Sequence, residues 1–400
     1  MTVPKNSFAA STGRFRSLFV AFFKIGVTSF GMPAILHNVR TYAVQKRLMT
    51  ANEFDEGLGL VQLYPGPIMA NLVTYIGYRQ CGSAGALVTT VGFLLPSLVA
   101  MLAAVAAFQY YSKVAGAETL LWGLNAVVVG TVLSITLDYG KKYLGNAVET
   151  LLAILAAVIA ISGMTLFWAI AAGFVAGAAM QRRDTHPLPV KPPTPLRWQR
   201  LAVPITVCLA LLGIAAWSSM NRSTLGDITA EFMKIGAISF GNGYTILPMI
   251  QKAAVVRHGW LTTSQLGAAI GIGQFTPGPI LNVATFTGFF AAGVTGALAA
   301  STAIYAPSFG MTLIFAESHR RFRHIDWIRG AIRGVLATFV GLLVMVLVRL
   351  GEHALTGPFA VAVAAGSFIA LRYLKWSLPL IYILAGFAVF AWHTWARIRG

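Results

Sequence analysis

Thirteen long apolar segments divide this chain, at 15–31, 57–80, 84–110, 117–138, 145–161, 163–180, 201–219, 226–243, 265–290, 294–316, 327–350, 354–371 and 376–396. In hydrocarbon only helices and closed barrels satisfy every backbone group. Runs of this length suit helices, so the expected fold is all-α and polytopic, with about 10–13 transmembrane helices. Composition agrees: 57% of the 400 residues are hydrophobic and 10% charged, against about 25% charged in a soluble domain. A soluble enzyme, a disulfide scaffold and a DNA-binding domain are excluded on this ground. The two cysteines, Cys81 and Cys208, form no disulfide framework and match no metal-site spacing. Lys5, Arg14 and Arg16 precede an apolar stretch interrupted by Lys24, which reads as a retained first span rather than a signal peptide.

The formal net charge of +18 is spread over the loops between segments, without the aromatic-interleaved patch of a nucleic-acid surface. It is read as cytoplasmic retention of basic loops and contact with anionic lipid, with no nucleic-acid partner. If the N-terminus is cytoplasmic and all segments span, 20 Lys/Arg fall inside and 8 outside. That bias favours a multi-pass topology with the N-terminus in the cytoplasm. Gln181 to Arg200 holds Pro187, Pro189, Pro192, Pro193 and Pro195 and is the best linker candidate. The expected organisation is a first repeat at 1–180, a Pro-rich basic linker with an extra span at 181–225, and a second repeat at 226–400.

The repeat is written in the residues. Phe23 to Gly31 (FKIGVTSFG) recurs as Met233 to Gly241 (MKIGAISFG), an offset of 210. Gln62 to Ile68 (QLYPGPI) recurs as Gln274 to Ile280 (QFTPGPI), an offset of 212. Gly82, Gly85-Ala86 and Pro96-Ser97 recur as Gly293, Gly296-Ala297 and Pro307-Ser308, an offset of 211. Three blocks in one order at a near-constant offset mark a duplication. A first repeat of six spans and one extra span precede the second copy, an odd total of seven, so the halves run in opposite senses. Inverted repeats with broken helices place a transport site at the repeat interface.

Pro-Gly-Pro within an apolar segment is costly, because proline lacks an N–H and clashes with the preceding turn. Freed backbone groups at that depth need protein or a water-filled cavity. Candidate binding residues are therefore Gln62, Pro65, Gly66, Pro67 and Asn71, with their copies Gln274, Pro277, Gly278, Pro279 and Asn282. Pro67 and Pro279 suit the first turn of a following half-helix, whose N-terminus attracts an anion. Ser29, Gly31, Ser239, Gly241, Asn242 and Gly243 would unwind a helix end and free polar groups. Lys24 and Lys234, equivalent lysines inside apolar segments, are functional candidates by default. Their plainer reading is snorkelling to the headgroups, and Glu231, three residues before Lys234, is placed to pair with it. No Walker-type phosphate loop and no metal-ligand motif occurs, so neither a cofactor nor a metal is expected.

The combination Lys-Ile-Gly-x-x-Ser-Phe-Gly, Gln-x-x-Pro-Gly-Pro, Gly-x-x-Gly-Ala and Pro-Ser, twice over, resembles the two-domain chromate transporter family. Ser239 to Tyr244, Leu247-Pro248, Trp260 to Thr262, Gln274 to Pro279, Ala284 to Phe286 and Gly288 carry the closer match. The resemblance implies a secondary transporter of the bacterial inner membrane that exports chromate, a tetrahedral dianion like sulfate. Expected partners are the oxyanion and the bilayer; assembly into a homo-oligomer is left open. A sulfate or other anion permease is the rival within the class, beside a passive anion channel. An intramembrane enzyme acting on a lipid-linked substrate is the rival outside it, and no catalytic cluster in the sequence supports that reading.

Overall fold

The computed structural model describes residues 8–28, 31–111, 117–162, 166–180, 223–240, 243–322 and 326–399, with scattered positions between 202 and 220. The linker at 181–200 lies outside the described residues, and the extra span at 201–219 is described only at scattered positions. Among the described residues the regular structure is helical. In the first half it comprises α1 (Phe8–Thr28), α2 (Gly31–Gln45), α3 (Ala51–Val61), α4 (Ile68–Tyr111), α5 (Ala117–Tyr143), α6 (Ala147–Ile161) and α7 (Leu166–Met180). In the second half it comprises α8 (Thr224–Ile238), the short α9 (Leu247–Ile250), α10 (Thr263–Phe275), α11 (Val283–Phe322), α12 (Asp326–Ala354), α13 (Pro358–Arg372) and α14 (Leu378–Arg399). A π-helical stretch, Gln251–Arg257, continues α9.

Among the described residues four helical stretches are long and apolar enough to cross a membrane: Ile68–Tyr111, Gly123–Tyr143, Ile280–Glu317 and Gly330–Ala354. Shorter apolar helices at Ala147–Ile161, Trp168–Met180, Pro358–Arg372 and Leu378–Trp392 accompany them. The protein is an all-α, polytopic membrane protein. The apolar segment 57–80 is not one helix, however; it is divided by Pro65-Gly66-Pro67 between α3 and α4.

The duplication extends to backbone angles. α4 folds back at Cys81 (φ −143°, ψ 25°) and Gly82 (φ 65°, ψ −153°). α11 does so at Ala292 (φ −151°, ψ 33°) and Gly293 (φ 63°, ψ −151°). Only glycine adopts such a positive φ without strain. Each kink leaves a short first arm of about 20 Å (residues 68–80 in α4, at 1.5 Å per residue), antiparallel to a long second arm. The Thr74 and Thr90 hydroxyls share a 2.7 Å hydrogen bond across the first hairpin. Thr285 and Ser301, at the equivalent positions, share one of the same length across the second. Matching capping boxes open the preceding helices, Thr50 with Glu53 at α3 and Thr262 with Gln265 at α10. In both, the side chains satisfy N–H groups that a helix start leaves without partners.

The two halves interlock. α1 packs on α4 and α8 on α11 within each half, but α6 and α7 pack on α12, and α13 and α14 pack on α5. Charged pairs tie these exchanged helices: Glu149, buried at the start of α6, meets Arg333 of α12 at 3.0 Å, and Asp138 of α5 meets Arg372 of α13 at 2.9 Å.

Candidate functional site

Two broken helices define the site. α3 ends at Val61, the chain turns through Tyr64-Pro65-Gly66-Pro67, and α4 begins at Ile68, where the Asn71 N–H donates to the Pro67 carbonyl at 2.9 Å. α10 ends at Phe275, and after Thr276-Pro277-Gly278-Pro279 a single 3-10 turn at Ile280–Asn282 leads into α11. Gly66 (φ 135°) and Gly278 (φ 97°) make the two turns. Each break starts a helix whose first N–H groups have no intrahelical acceptor and carry the positive end of its dipole.

The loops cross between the halves. The Gly66 N–H donates to the carbonyl of Ser239 at 2.5 Å, so the first Pro-Gly-Pro meets the second Ser-Phe-Gly. A Cβ on Gly66 would lie 2.4 Å from Ser308 Cβ and 2.5 Å from Asn71 Nδ2. A Cβ on Gly278 would lie 2.6 Å from Ser97 Oγ. Each Pro-Gly-Pro therefore rests on the Pro-Ser step of the opposite half, with no room for a side chain. The Asn282 side-chain amide donates to Ser97 Oγ and lies 3.5 Å from Thr276 Oγ1. Asn71, 1% exposed, has a side-chain nitrogen without a hydrogen-bond partner. The Tyr64 hydroxyl donates to Thr312 Oγ1 across the same interface at 2.8 Å.

The expected residues thus separate. Pro65, Gly66, Pro67, Asn71, Ser239, Pro277, Gly278, Pro279 and Asn282 lie in or beside the crossed loops. Gly243 (φ 87°) turns the chain against Ile280 and Leu281 at the start of α11. Gly31 is the first residue of α2, while Ser29, Gly241 and Asn242 lie outside the described residues. The two glutamines differ. Gln274 is buried, accepting from the Tyr382 hydroxyl at 3.3 Å and reaching Thr131 Oγ1 at 3.5 Å; Gln62 is exposed at the end of α3. Lys24 and Lys234 are not brought to the loops: both are exposed on their helices, and Lys234 lies 3.5 Å from Glu231.

Sequence reasoning passed over Ser97, Ser308, Thr276, Tyr64 and Thr312 as site residues. The repeated Pro-Ser step was the signal for the first two. It also passed over a cavity of about 300 Å³ between α4 and α11. Thr90, Val91, Leu94, Leu95 and Leu98 line it with their copies Ser301, Thr302, Tyr305, Ala306 and Phe309. Equivalent residues of the two halves thus line this cavity together. Asn282 reaches its wall, which connects it to the crossed loops.

A family model described as chromate transporter matches residues 16–178 and again residues 226–392. The chromate transport protein of Cupriavidus metallidurans is 27% identical over 381 residues, 93% of this chain and 92% of its own length. An uncharacterised transporter of Methanocaldococcus jannaschii is 26% identical over 373 residues, 92% of each chain. A second uncharacterised transporter, from Bacillus subtilis, is 29% identical over 144 residues. Those residues are 34% of this chain but 71% of the Bacillus protein, which is therefore about half as long. No protein of solved structure matches. With both halves matched by one family model, the chain belongs to the chromate transporter family.

Proposed function

We propose that this chain is a secondary transporter, not an enzyme, that moves chromate or another tetrahedral oxyanion outward across a bacterial inner membrane. In this reading residues 1–180 and 226–400 are inverted repeats joined by 181–225, and they rock about the two Pro-Gly-Pro breaks to give alternating access. The dianion sits between the first N–H groups of α4 and α11, where backbone dipoles favour negative charge without a buried lysine. Asn71, Asn282, Ser97 and Ser308 supply neutral donors around it. One observation carries the reading: Asn71, buried beside Gly66 at a broken-helix N-terminus, holds a donor without an acceptor. An unmade hydrogen bond of this kind costs about 1–3 kcal/mol, which an oxyanion would recover. The relatives named as chromate transport proteins support the choice of anion.

Expression in a chromate-sensitive bacterium should lower accumulated chromate, and Asn71→Ala should restore accumulation with the protein still in the membrane. Unchanged accumulation with the parent chain inserted would refute the substrate. Uptake into inverted vesicles with sulfate as competitor separates the two oxyanions.

A further inference from the structure

The second half carries a cluster of ionisable groups that the crossed loops do not use. Glu231 of α8, whose side chain is 13% exposed, gathers three bases on one oxygen, Oε1: Arg257 at 2.7 Å, Lys234 at 3.5 Å and His258 Nε2 at 3.8 Å. His258 Nε2 is buried without a hydrogen-bond partner. Its ring stacks flat on Trp260, with centroids 4.3 Å apart and planes at 8°. Among the described residues the first half shows no such cluster: Ala21 stands at the position of Glu231, and Lys46 at that of His258. The feature therefore belongs to one half of a duplicated plan.

We propose that Glu231 and His258 form a proton-binding site through which a proton is coupled to anion movement, an inference that rests on the transport function proposed above. His258 Nε2 and Glu231 Oε1 approach to 3.8 Å, beyond hydrogen-bond distance. A proton passed from hydronium onto Nε2 forms one N–H bond, breaks one O–H bond and leaves water; it turns that approach into a charge-assisted hydrogen bond, and the Trp260 face stabilises the resulting cation. The charged groups around the pair are Asp227 and Lys234 on α8, and Lys252 and Arg257 on the π-helical stretch. α10 and residues 283–316 of α11 carry none. On α12, Arg333 is engaged with Glu149 and Arg349 with Glu352. A protonated His258 competes with Arg257 and Lys234 for Oε1. That contest acts on α8, whose C-terminal Ser239 holds the Gly66 loop.

The test has an arm that needs no substrate. In purified protein, tryptophan emission followed from pH 8 to pH 5 should show a step, as an imidazolium quenches the indole stacked on it. The step should vanish in His258→Gln and in Trp260→Phe. Glu231→Gln removes the carboxylate that faces Nε2 and should weaken the step, and an unchanged step there overturns the pairing. A step that persists in His258→Gln overturns the proton site. In proteoliposomes, an imposed pH gradient should speed chromate movement by the parent chain, while His258→Gln should carry chromate without responding to the gradient. An equal response in both overturns the coupling. If the parent chain carries no chromate, the emission arm still decides on the proton site, and the failure falls on the proposed substrate.

Discussion

Gly66 concentrates the demands of the site on one residue. Its φ of 135° disfavours any side chain, and a Cβ there would meet Ser308 Cβ at 2.4 Å. Gly66→Ala should therefore lower stability by about 1–3 kcal/mol from backbone strain alone, with the clash added, and should abolish transport. Gly59 is the control: it is exposed within α3 and has nothing within 4 Å. Gly59→Ala should leave transport intact and raise stability by about 0.5–1 kcal/mol, since alanine is the better helix residue. Thermal unfolding in detergent checks both, and equal effects would remove the special status of Gly66. At this scale the sequence was legible only in part. Pro-Gly-Pro announced a break because its cost in an apolar segment is local. That Ser97 would meet Asn282, 185 residues away, was not announced, since nothing local says which serine faces which loop. The lysines show the same limit: rarity in an apolar run is visible in sequence, but the face of the helix that carries the lysine is set by packing.

Among elements, the folded-back helices α4 and α11 repay comparison. Their kinks agree within 10° at every angle, yet no atom lies within 4 Å of a Cβ built at Gly82 or Gly293. Alanine at either position meets only backbone strain, about 1–3 kcal/mol. Gly82→Ala and Gly293→Ala should thus shift the unfolding midpoint by nearly equal amounts, and clearly different shifts would show that the two kinks are not energetically equivalent. Helix N-termini are another element-scale feature: Thr262→Ala should cost about 0.5–2 kcal/mol by removing the cap of α10, readable in the same unfolding measurement. The elements were the most legible level. Apolar runs gave the helices, and Gly82 and Gly293 already stood out as a repeated pair. The fold-back itself was less visible, because a glycine in an apolar run is as compatible with a straight helix as with a hairpin.

For the whole molecule, the duplication and its offset were open to reading, but the exchange of α6 and α7 for α13 and α14 was not. Both partnerships bury similar apolar faces, so composition does not choose between them. The proposed inverted sense of the halves predicts that reporter fusions after residues 40 and 255 report opposite sides of the membrane; the same side for both would refute it. The interlock predicts a second result. A chain cut in the linker and expressed as two pieces should accumulate when both are present and be degraded when either is made alone. Stable accumulation of one piece by itself would count against the interlock. The reason lies in the crossed loops: the Gly66 N–H and the Ser239 carbonyl complete each other across the duplication. Neither repeat is a finished valence on its own. A gene encoding one such repeat would need a matched second product in equal supply, and fusing the two into one chain fixes that ratio at synthesis.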